Sequence, residues 1–414
     1  MANNNNKDKC NVPHLRFPEF SGEWKKVKVS KLLDFYSANS LSWEQLDYNN
    51  GKIKNLHYGL IHKGVPTMVD VSSVSLPYIK EETMPKSYTL FKEGDVAFAD
   101  ASEDTNDVAK AIEVINCDSQ QIVSGLHTIH GRDNSNQTVI GYKGYAFASD
   151  SFHKQIRRIA QGTKVFSISV RNFDEVYIGI PSKKEQTKIA KLLIAIDERI
   201  ATQNKIIEKL QSLIKGLNQH LLCSGNDWIT YKLNNLAQIK SGYSGNQISI
   251  KTPYKVSRIE TISKHCIDIQ RIGYVEDIPE SYKLNVSDIL FSNINSVQYI
   301  GNTAYLDKDY GLYHGMNLLR IIPKTDIVVP RFLHLLLCTN KAINHFQTIC
   351  NKAVSQASIN QTDLSKSTFA IPSMSVQQEI CSMFEVVERK LRNEQVFLDN
   401  LQRQRRYLLQ QMFI

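Results

Sequence analysis

The first residues with side chains suited to chemistry lie at 50–64, in the segment NGKIKNLHYGLIHKG. Basic, imidazole and phenol side chains are interleaved here with glycines, a composition suited to contacts with phosphates and base edges. A solvated surface loop would have a similar composition, so both interpretations stay open for this segment. The candidates for nucleic-acid binding are Lys52, Lys54, His57, Tyr58, His62 and Lys63.

A second set of polar residues could contact a nucleic acid from other parts of the chain. Arginines and a lysine stand between strand-like runs, and two asparagines closely follow a short apolar run that ends at Phe291. Asparagine can pair through both side-chain polar atoms with adenine, but it also makes turns and caps. These additional candidates are Arg132, Arg258, Lys264, Arg271, Asn293 and Asn295.

Two further groups could hold a metal ion. His127 and His130 are three residues apart, but no third or fourth zinc ligand follows at a recognised spacing. The acidic residues Glu103, Asp104 and Asp107 could bind a metal or accept a hydrogen bond from a cytosine amino group. Their spacing is more typical of a solvated loop. We therefore expect no metal site.

The motifs of common enzyme classes are absent from the sequence. It contains no GxxxxGK[ST] phosphate loop, no GxSxG nucleophile turn and no HExxH zinc motif. It also lacks the Asn/Asp-Pro-Pro-aromatic motif with which amino-methyltransferases hold a target base. Glu388 and Lys390 lie within a predicted helix and are interpreted as part of its surface. The sequence therefore predicts no catalytic site and no cofactor bound to this chain.

The elements that must position these residues are organised around a predicted helix at 182–222. Its apolar residues recur at steps of three and four, which is the a/d pattern of a coiled coil. About 40 residues at ~1.5 Å each make a rod of roughly 60 Å, which needs a partner along its length. Ser182 and Glu185 have the spacing of a capping box, and Gly225 would end the helix. The seam is Ile189, Leu193, Ile196, Ile200, Gln203, Ile207 and Leu210, followed by Ile214, Leu217 and Leu221.

The chain supplies that partner through an internal repeat. A shift of 191 residues, the separation of Pro181 and Pro372, aligns 167–222 with 358–413 without a gap. The polar interruption at Gln203 returns as Glu394, and we expect the two side chains to meet in an antiparallel pair. Arg405 replaces Ile214. The second seam is Ile380, Phe384, Val387, Leu391, Glu394, Leu398 and Leu401, followed by Leu408 and Met412.

Composition limits the class of protein. At 414 residues and 42% hydrophobic content, the chain can form two or three domains with real cores. Its net charge of +9 makes polyanions plausible partners, although many cytosolic proteins are mildly basic. Seven scattered cysteines without a CxxC motif are typical of a reducing compartment. With no apolar run of ~18 residues and no signal-peptide core, we expect a soluble cytoplasmic protein.

The sequence resembles the specificity subunit of type I restriction–modification enzymes over nearly its whole length. The resemblance rests on LRFPEFSGEW near the start, IGIPSKKEQTKIAKLL before the first long helix and FAIPSMSVQQEICSMF before the second. The family pattern of proline, Glu-Gln and isoleucine stands here as Pro181, Glu185-Gln186 and Ile189. In the second copy, Val376 replaces the glutamate, a departure expected to weaken a capping contact. ASINQTDLSK at 357–366 also resembles the family's approach to the second proline.

The resemblance implies an α+β fold of two similar target recognition domains. Each is followed by a long helix, and the two helices pack as an antiparallel coiled coil with pseudo-two-fold symmetry. The implied parts are target recognition domain 1 at 1–181, including a tail at 1–20, spacer helix 1 at 182–222, target recognition domain 2 at 223–372 and spacer helix 2 at 373–414. Trp24 and Trp228, equivalent in the repeat, are interpreted as core anchors.

The resemblance further implies a non-catalytic reader of double-stranded DNA. Each domain would read one half of a split site, and the helices would fix the gap between the halves. Two modification (methyltransferase) subunits would bring S-adenosylmethionine, and restriction subunits would add ATP- and Mg-dependent translocation and cleavage. The alternatives are the recognition subunit of another multisubunit restriction system, a stand-alone nuclease or methyltransferase, and a coiled-coil scaffold without DNA specificity.

Overall fold

The protein forms two compact units in a computed structural model, which describes residues 11–117, 120–222, 227–263, 265–353 and 356–414. The units are Met1–Lys205 with Gln395–Ile414, and Ile206–Glu394. The predictions for Gly225 and Lys264 fall outside the described residues. The unit boundaries fall inside the two long helices, and the four-part division proposed from the sequence stays a prediction.

The first unit is built on mixed sheets that carry short helices. One sheet has the strand order β2-β11-β7-β9-β5 and a second has the order β10-β4-β6-β3. Its strands are β1 (Lys25–Lys28), β2 (Asp34–Tyr36), β3 (Leu46–Asp47), β4 (Ile53–Leu56), β5 (Met68–Asp70), β6 (Tyr78–Ile79), β7 (Val96–Ala99), β8 (Ala101–Ser102), β9 (Ala111–Ile115), β10 (Gln121–Ser124), β11 (Thr128–Arg132), β12 (Phe166–Ser167) and β13 (Tyr177–Ile180). Its short helices are α1 (Val29–Leu32), α2 (Tyr58–Lys63), α3 (Tyr142–Phe147) and α4 (Asp150–Ile159). They precede the long helix α5 (Lys183–Leu221).

The second unit repeats this plan with shorter strands. Its larger sheet has the order β15-β24-β20-β22, and all its pairs are antiparallel. Its strands are β14 (Ile229–Lys232), β15 (Ala237–Ser241), β16 (Lys255–Val256), β17 (Ile262–Ser263), β18 (Cys266–Ile267), β19 (Gly273–Tyr274), β20 (Ile289–Phe291), β21 (Ile294–Asn295), β22 (Thr303–Tyr305), β23 (Leu312–Tyr313), β24 (Leu319–Pro323), β25 (Asn351–Lys352), β26 (Ala357–Ser358) and β27 (Thr368–Ile371). Its helices are α6 (Leu233–Leu236), α7 (Pro330–Leu337), α8 (Asn340–Ile349) and α9 (Gln361–Lys366), and the long helix α10 (Met374–Gln411) follows. The predicted α+β fold of two globular parts, each followed by a long helix, is confirmed.

The long helices run antiparallel where both contribute to the first unit. Arg405 of α10 donates to Asp197 of α5 over 2.5 Å. Nine residues later, Ile414 packs directly against Gly179, which precedes α5. Because the residue numbers rise on one helix as they fall on the other, the pair is antiparallel.

The apolar positions of the seam are buried or half-buried along both helices. The fully buried members pack into the two main cores, Ile189 and Leu193 into the first and Ile380 and Phe384 into the second. Gln203 is buried and Glu394 is half-buried, and Glu394 forms an ion pair with Lys390. Gln203 belongs to the first unit and Glu394 to the second, and their meeting stays a prediction. Buried or half-buried seam positions are Ile189, Leu193, Ile196, Ile200, Ile207, Leu210, Ile380, Phe384, Val387, Leu391, Leu398 and Leu401.

A buried glutamine fixes the start of each long helix. Gln186 donates to the carbonyl of Pro181 over 2.9 Å, and its Oε1 accepts from the N–H of Val139 over 2.9 Å. Gln377 makes the equivalent bonds to Pro372 over 2.9 Å and from Val329 over 2.8 Å. Each amide therefore satisfies backbone groups that would otherwise be buried unpaired, which is costly. This duplicated contact, called here the glutamine clamp, joins each helix to its own domain.

The expected capping box at α5 is present only in part. The Ser182 hydroxyl accepts from the N–H of Glu185 over 3.3 Å, as an N-cap should. The Glu185 carboxylate, however, accepts two hydrogen bonds of 2.7 Å from Arg16 and one of 3.2 Å from Trp24. Val376 in the second copy therefore lacks the carboxylate that makes these contacts.

Each unit also contains one buried aspartate–arginine pair, in which the aspartate directly precedes an inner strand (β7 or β20) and the arginine lies on the neighbouring strand (β11 or β24). Asp95 pairs with Arg132 at 2.6 Å, and Asp288 pairs with Arg320 at 2.6 Å. Burial acts to raise the pKa of Asp95, but hydrogen bonds from Arg132, His130 and a backbone N–H lower it overall. Burial raises the pKa of Asp288, against the opposing effects of a backbone N–H and Arg320. His130 bonds to Asp95 in addition, and no histidine is among the groups that lower the pKa of Asp288.

We predict that Asp288→Ala destabilises the second unit by about 3–5 kcal/mol, because Arg320 would be left buried without its counter-ion. The matched control is Glu260→Gln, which removes the exposed carboxylate paired with Arg258 at 3.4 Å. Such exposed pairs contribute about 0–1 kcal/mol. Urea unfolding of the full chain measures both changes, and equal effects would contradict the structural role of Asp288.

Candidate nucleic-acid interface

An aromatic and basic surface forms around α2 in the first unit. Trp43, 40% exposed, packs on His57 with ring centroids 4.2 Å apart, and the Lys63 ammonium lies 5.5 Å from the Trp43 ring. Tyr58 contacts His127, with 5.2 Å between ring centroids. This surface, called here the α2 surface, comprises Trp43, Tyr58, His62, Lys63 and His127. It presents stacking rings beside a cation, the combination that proteins use to bind bases and phosphates.

His57 has a structural role beneath this surface, which corrects its interpretation as a DNA-contacting residue. It is buried, and its Nδ1 accepts from the N–H of Gly59 over 3.1 Å as the N-cap of α2. Burial, helped by repulsion from His127 and Lys63, lowers the pKa of His57 to about 4. The ring is therefore neutral at pH 7 and supports Trp43.

Lys54 and Arg132 are likewise engaged inside the fold, which corrects their interpretation as DNA-contacting residues. The Lys54 ammonium donates to the carbonyl of Val71 over 3.0 Å, and burial lowers its pKa. Arg132 is held by Asp95, by the carbonyl of Leu90 at 2.8 Å and by the face of Tyr36 at 4.8 Å. Lys54 is buried and Arg132 is largely so, and each is held by these partners within the fold.

The remaining candidates of the first unit are accessible to different degrees. Lys52 is exposed and pairs with the exposed Glu81 at 3.1 Å, a contact that costs little to break. His62 is half-buried, and its Nε2 lies 2.8 Å from the carbonyl oxygen of Ala101. The other two accessible candidates are Lys63, which is exposed, and Tyr58, which is half-buried. Trp43 was missed in the sequence because it lies outside the basic segment.

In the second unit, the arginine candidates are exposed and the asparagines are engaged. Arg258 and Arg271 each form one exposed ion pair, with 3.4 Å to Glu260 and 3.4 Å to Asp268.

Asn293 donates to the carbonyl of Ile359 over 3.3 Å, and Asn295 binds Ser292 and the N–H of Ser296. Asn293 thus links its segment to the residue after β26, and Asn295 stabilises its own turn, and their reading of bases stays a prediction. Lys264 lies outside the described residues.

The metal alternatives find no support in the geometry. His127 lies 3.0 Å from Asp100, whereas His130 is buried 2.7 Å from Asp95. Across the described ranges, no three His, Cys, Asp or Glu side chains are grouped so as to hold a metal ion. Asp104 instead accepts hydrogen bonds from Asn106 within its own loop.

No helix of the described residues is long and apolar enough to cross a membrane.

The sequence matches one protein family in two places. The family described as the type I restriction modification DNA specificity domain matches residues 21–212 and again 225–402. The two matched segments therefore cover most of the chain and correspond to the two copies of the internal repeat. Each match contains one glutamine clamp and one buried aspartate–arginine pair.

Relatives with assigned functions match parts of the chain. A Methanocaldococcus jannaschii protein assigned as the MjaX type I restriction enzyme specificity subunit is 40% identical over 163 residues, 38% of this chain and 38% of that protein. The EcoKI specificity subunit of Escherichia coli K12 is 21% identical over 291 residues, 63% of this chain and 62% of that protein. The matches thus span less than two thirds of either relative's length.

Solved structures share the fold over almost the whole chain. The crystal structure of a type I restriction–modification S subunit from M. genitalium aligns with a TM-score of 0.59 at 15% identity, covering 97% of this chain and 99% of that one. A chain from a structural study of type I R-M complex assembly aligns with a TM-score of 0.56 at 14% identity, covering 93% and 96%. Similarity at this level establishes the common architecture.

The titration of His57 leads to a pH prediction. Between pH 4 and about 6.5, unfolded His57 binds a proton that the folded state excludes, so its contribution to stability is present above about pH 6.5 and is lost as the pH falls towards 4. His57→Asn keeps an N-cap acceptor and should flatten the pH dependence of the unfolding free energy in this window.

The control for this measurement is His127→Asn, which removes a half-exposed histidine from the same surface. Urea unfolding at about pH 4.5, 5.5 and 7 compares the two variants with the wild-type chain. If His127→Asn flattens the profile as much as His57→Asn, His57 is not the excluded titrating group.

Proposed function

The chain belongs to the type I restriction modification DNA specificity family, and from this premise we propose that it is the DNA-recognition subunit of a restriction–modification complex. The observation that carries the proposal is the duplication of a complete reading unit. Each copy has a globular part, a glutamine clamp and a long helix in one continuous chain. Two readers on one scaffold suit a site made of two separate halves.

In this function the chain binds DNA and leaves the chemistry to its partners. Its candidate contacts are the accessible cations and rings of the α2 surface and the exposed arginines of the second unit. S-adenosylmethionine would be brought by modification subunits, and ATP and Mg by restriction subunits. We place the complex in the cytoplasm, where its DNA substrate lies.

The outer faces of the long helices suit the docking of two modification subunits. Charged residues there are exposed, namely Lys191, Glu198, Lys205, Arg389, Arg392 and Arg403. Large apolar side chains are exposed beside them, including Leu213 on α5 and Met383, Val386 and Phe397 on α10. Exposed apolar side chains flanked by charges are typical of protein interfaces. Because the plan is duplicated, we propose two similar docking sites.

The first prediction from this function concerns the spacing of the two half-sites. The target is obtained by selecting bound sequences from random DNA with the full chain, or by mapping methylated bases in cells that carry the complex. Inserting one base pair between the half-sites rotates one half by about a tenth of a turn, and methylation should be lost. Methylation that survives insertions of several base pairs would contradict a fixed spacer.

The second prediction concerns stoichiometry. Native mass measurement at saturating modification subunit should give two copies per specificity chain. Met383→Glu places a charge in the apolar outer face and should weaken docking by about tenfold or more. Glu379→Gln, at an exposed position on the same helix, is the matched control. A complex that saturates with a single modification subunit would contradict the duplicated docking sites.

A further inference from the structure

A polar cleft in the second unit has the features of a base-reading site. Its volume is about 330 Å³, and its walls are the segments 244–247, 258–260 and 316–317. Arg258 is the cation among its lining residues and Glu260 the acid. Amide side chains from Asn246, Gln247 and Asn317 supply further donors and acceptors.

The backbone holds these three walls rigidly together. A parallel bridge joins Tyr243 to Gly315, and the N–H of Tyr243 donates to the carbonyl of His314 over 2.9 Å. The N–H of Gly315 donates to the Ser257 hydroxyl over 3.0 Å. Each wall therefore begins one residue after an anchored position, namely Tyr243, Ser257 or Gly315.

Glycines make this close approach feasible. A Cβ on Gly242 would lie 1.8 Å from the carbonyl oxygen of Gly315, and one on Gly315 would lie 2.0 Å from that of Ser257. Neither position can carry a side chain without moving the backbone of its neighbour. The cleft is thus preorganised by main-chain packing, while its exposed side chains are free to contact a ligand.

Arg258 is the arginine of this unit best placed to use the cleft. Arg320 is locked to the buried Asp288, and Arg331 is held by both carboxylate oxygens of Glu388 at 2.6 and 2.7 Å. Arg271 is exposed but does not line the cleft. Arg258 has a half-exposed side chain, and its pair with Glu260 is a weak, solvent-exposed one that DNA can replace.

We propose that this cleft reads one guanine of the half-site bound by the second unit, with Arg258 donating to guanine O6 and N7. This assignment rests on the proposed function. The planar guanidinium matches the two guanine acceptors, and bidentate contact of this kind is the commonest specific one in the major groove. The neighbouring amides contact the edges of adjacent bases.

The test compares Arg258→Ala, Arg258→Lys and Arg271→Ala in the full chain, purified alone or with the modification subunits that it binds. Selection from random DNA with the wild-type chain first defines the bipartite target. Arg258→Ala should then lose about 10- to 100-fold of its preference for guanine at one position of one half-site. Preferences in the other half-site should be retained, which also shows that the variant is folded.

The lysine variant separates base reading from phosphate binding. Lysine keeps the charge but loses the fork of donors, so Arg258→Lys should lose the same guanine preference. Arg271→Ala should weaken binding to all sequences about equally, as loss of a phosphate contact does. A uniform loss in Arg258→Ala that lysine restores would overturn the assignment, because Arg258 would then bind phosphate.

The remaining outcomes are equally decisive. Unchanged preferences in Arg258→Ala, or relaxation at a position other than a G·C pair, would overturn the assignment of the cleft and leave the proposed function standing. A wild-type chain that selects no bipartite sequence would overturn the proposed function, and the assignment with it.

Discussion

The amide of one glutamine at the start of each long helix is the contact on which the architecture depends. Gln186 and Gln377 are fully buried, and each bonds to the proline carbonyl before its helix and to the loop ahead of α3 or α7. A glutamine offers a donor and an acceptor on one short arm, so it can pair both backbone partners at once. Replacement by an apolar residue would bury those groups without partners. The clamp thus sets the direction in which each helix leaves its domain.

The seam residues are continuous with the core of each domain. Packing of the long helices therefore helps to stabilise the domains themselves. Leu193 of α5 and Met412, directly after the end of α10, belong to the same buried cluster as Phe98 of the first sheet. Arg405 stands where the repeat would place an isoleucine, and it binds Asp197 and Thr67 at 2.5 and 2.7 Å. Tyr145 also donates to Asp197 over 3.0 Å. At this position of α10, a polar contact with the first unit therefore takes the place of the apolar seam residue found in α5.

Much of this architecture was predictable from the repeat, whereas the state of individual polar residues was not. The gapless alignment located both helices and both seams, because these follow periodicity and spacing. It could not distinguish Lys54 and Arg132, which are occupied inside the fold, from Lys63 and Arg258, which are accessible. The sequence shows which residues are charged, but it does not show which groups their side chains contact in the folded chain. The cleft was also invisible, since its walls lie up to 73 residues apart and meet through backbone contacts.

A division between fixed and free polar groups separates the residues that hold the scaffold together from those that a ligand can reach. In the pairs Asp95–Arg132 and Asp288–Arg320, each aspartate directly precedes an inner strand and each arginine lies on the neighbouring strand, so removing one partner leaves a buried charge. The accessible residues, such as Lys63 and Arg258, have partners that solvent can replace at little cost. The walls around Arg258 are held by main-chain contacts and by the buried Ser257 hydroxyl, so the exposed side chains of the cleft are not needed for those contacts. Changing those side chains alters what the surface contacts while the sheets, clamps and helix pair keep their geometry.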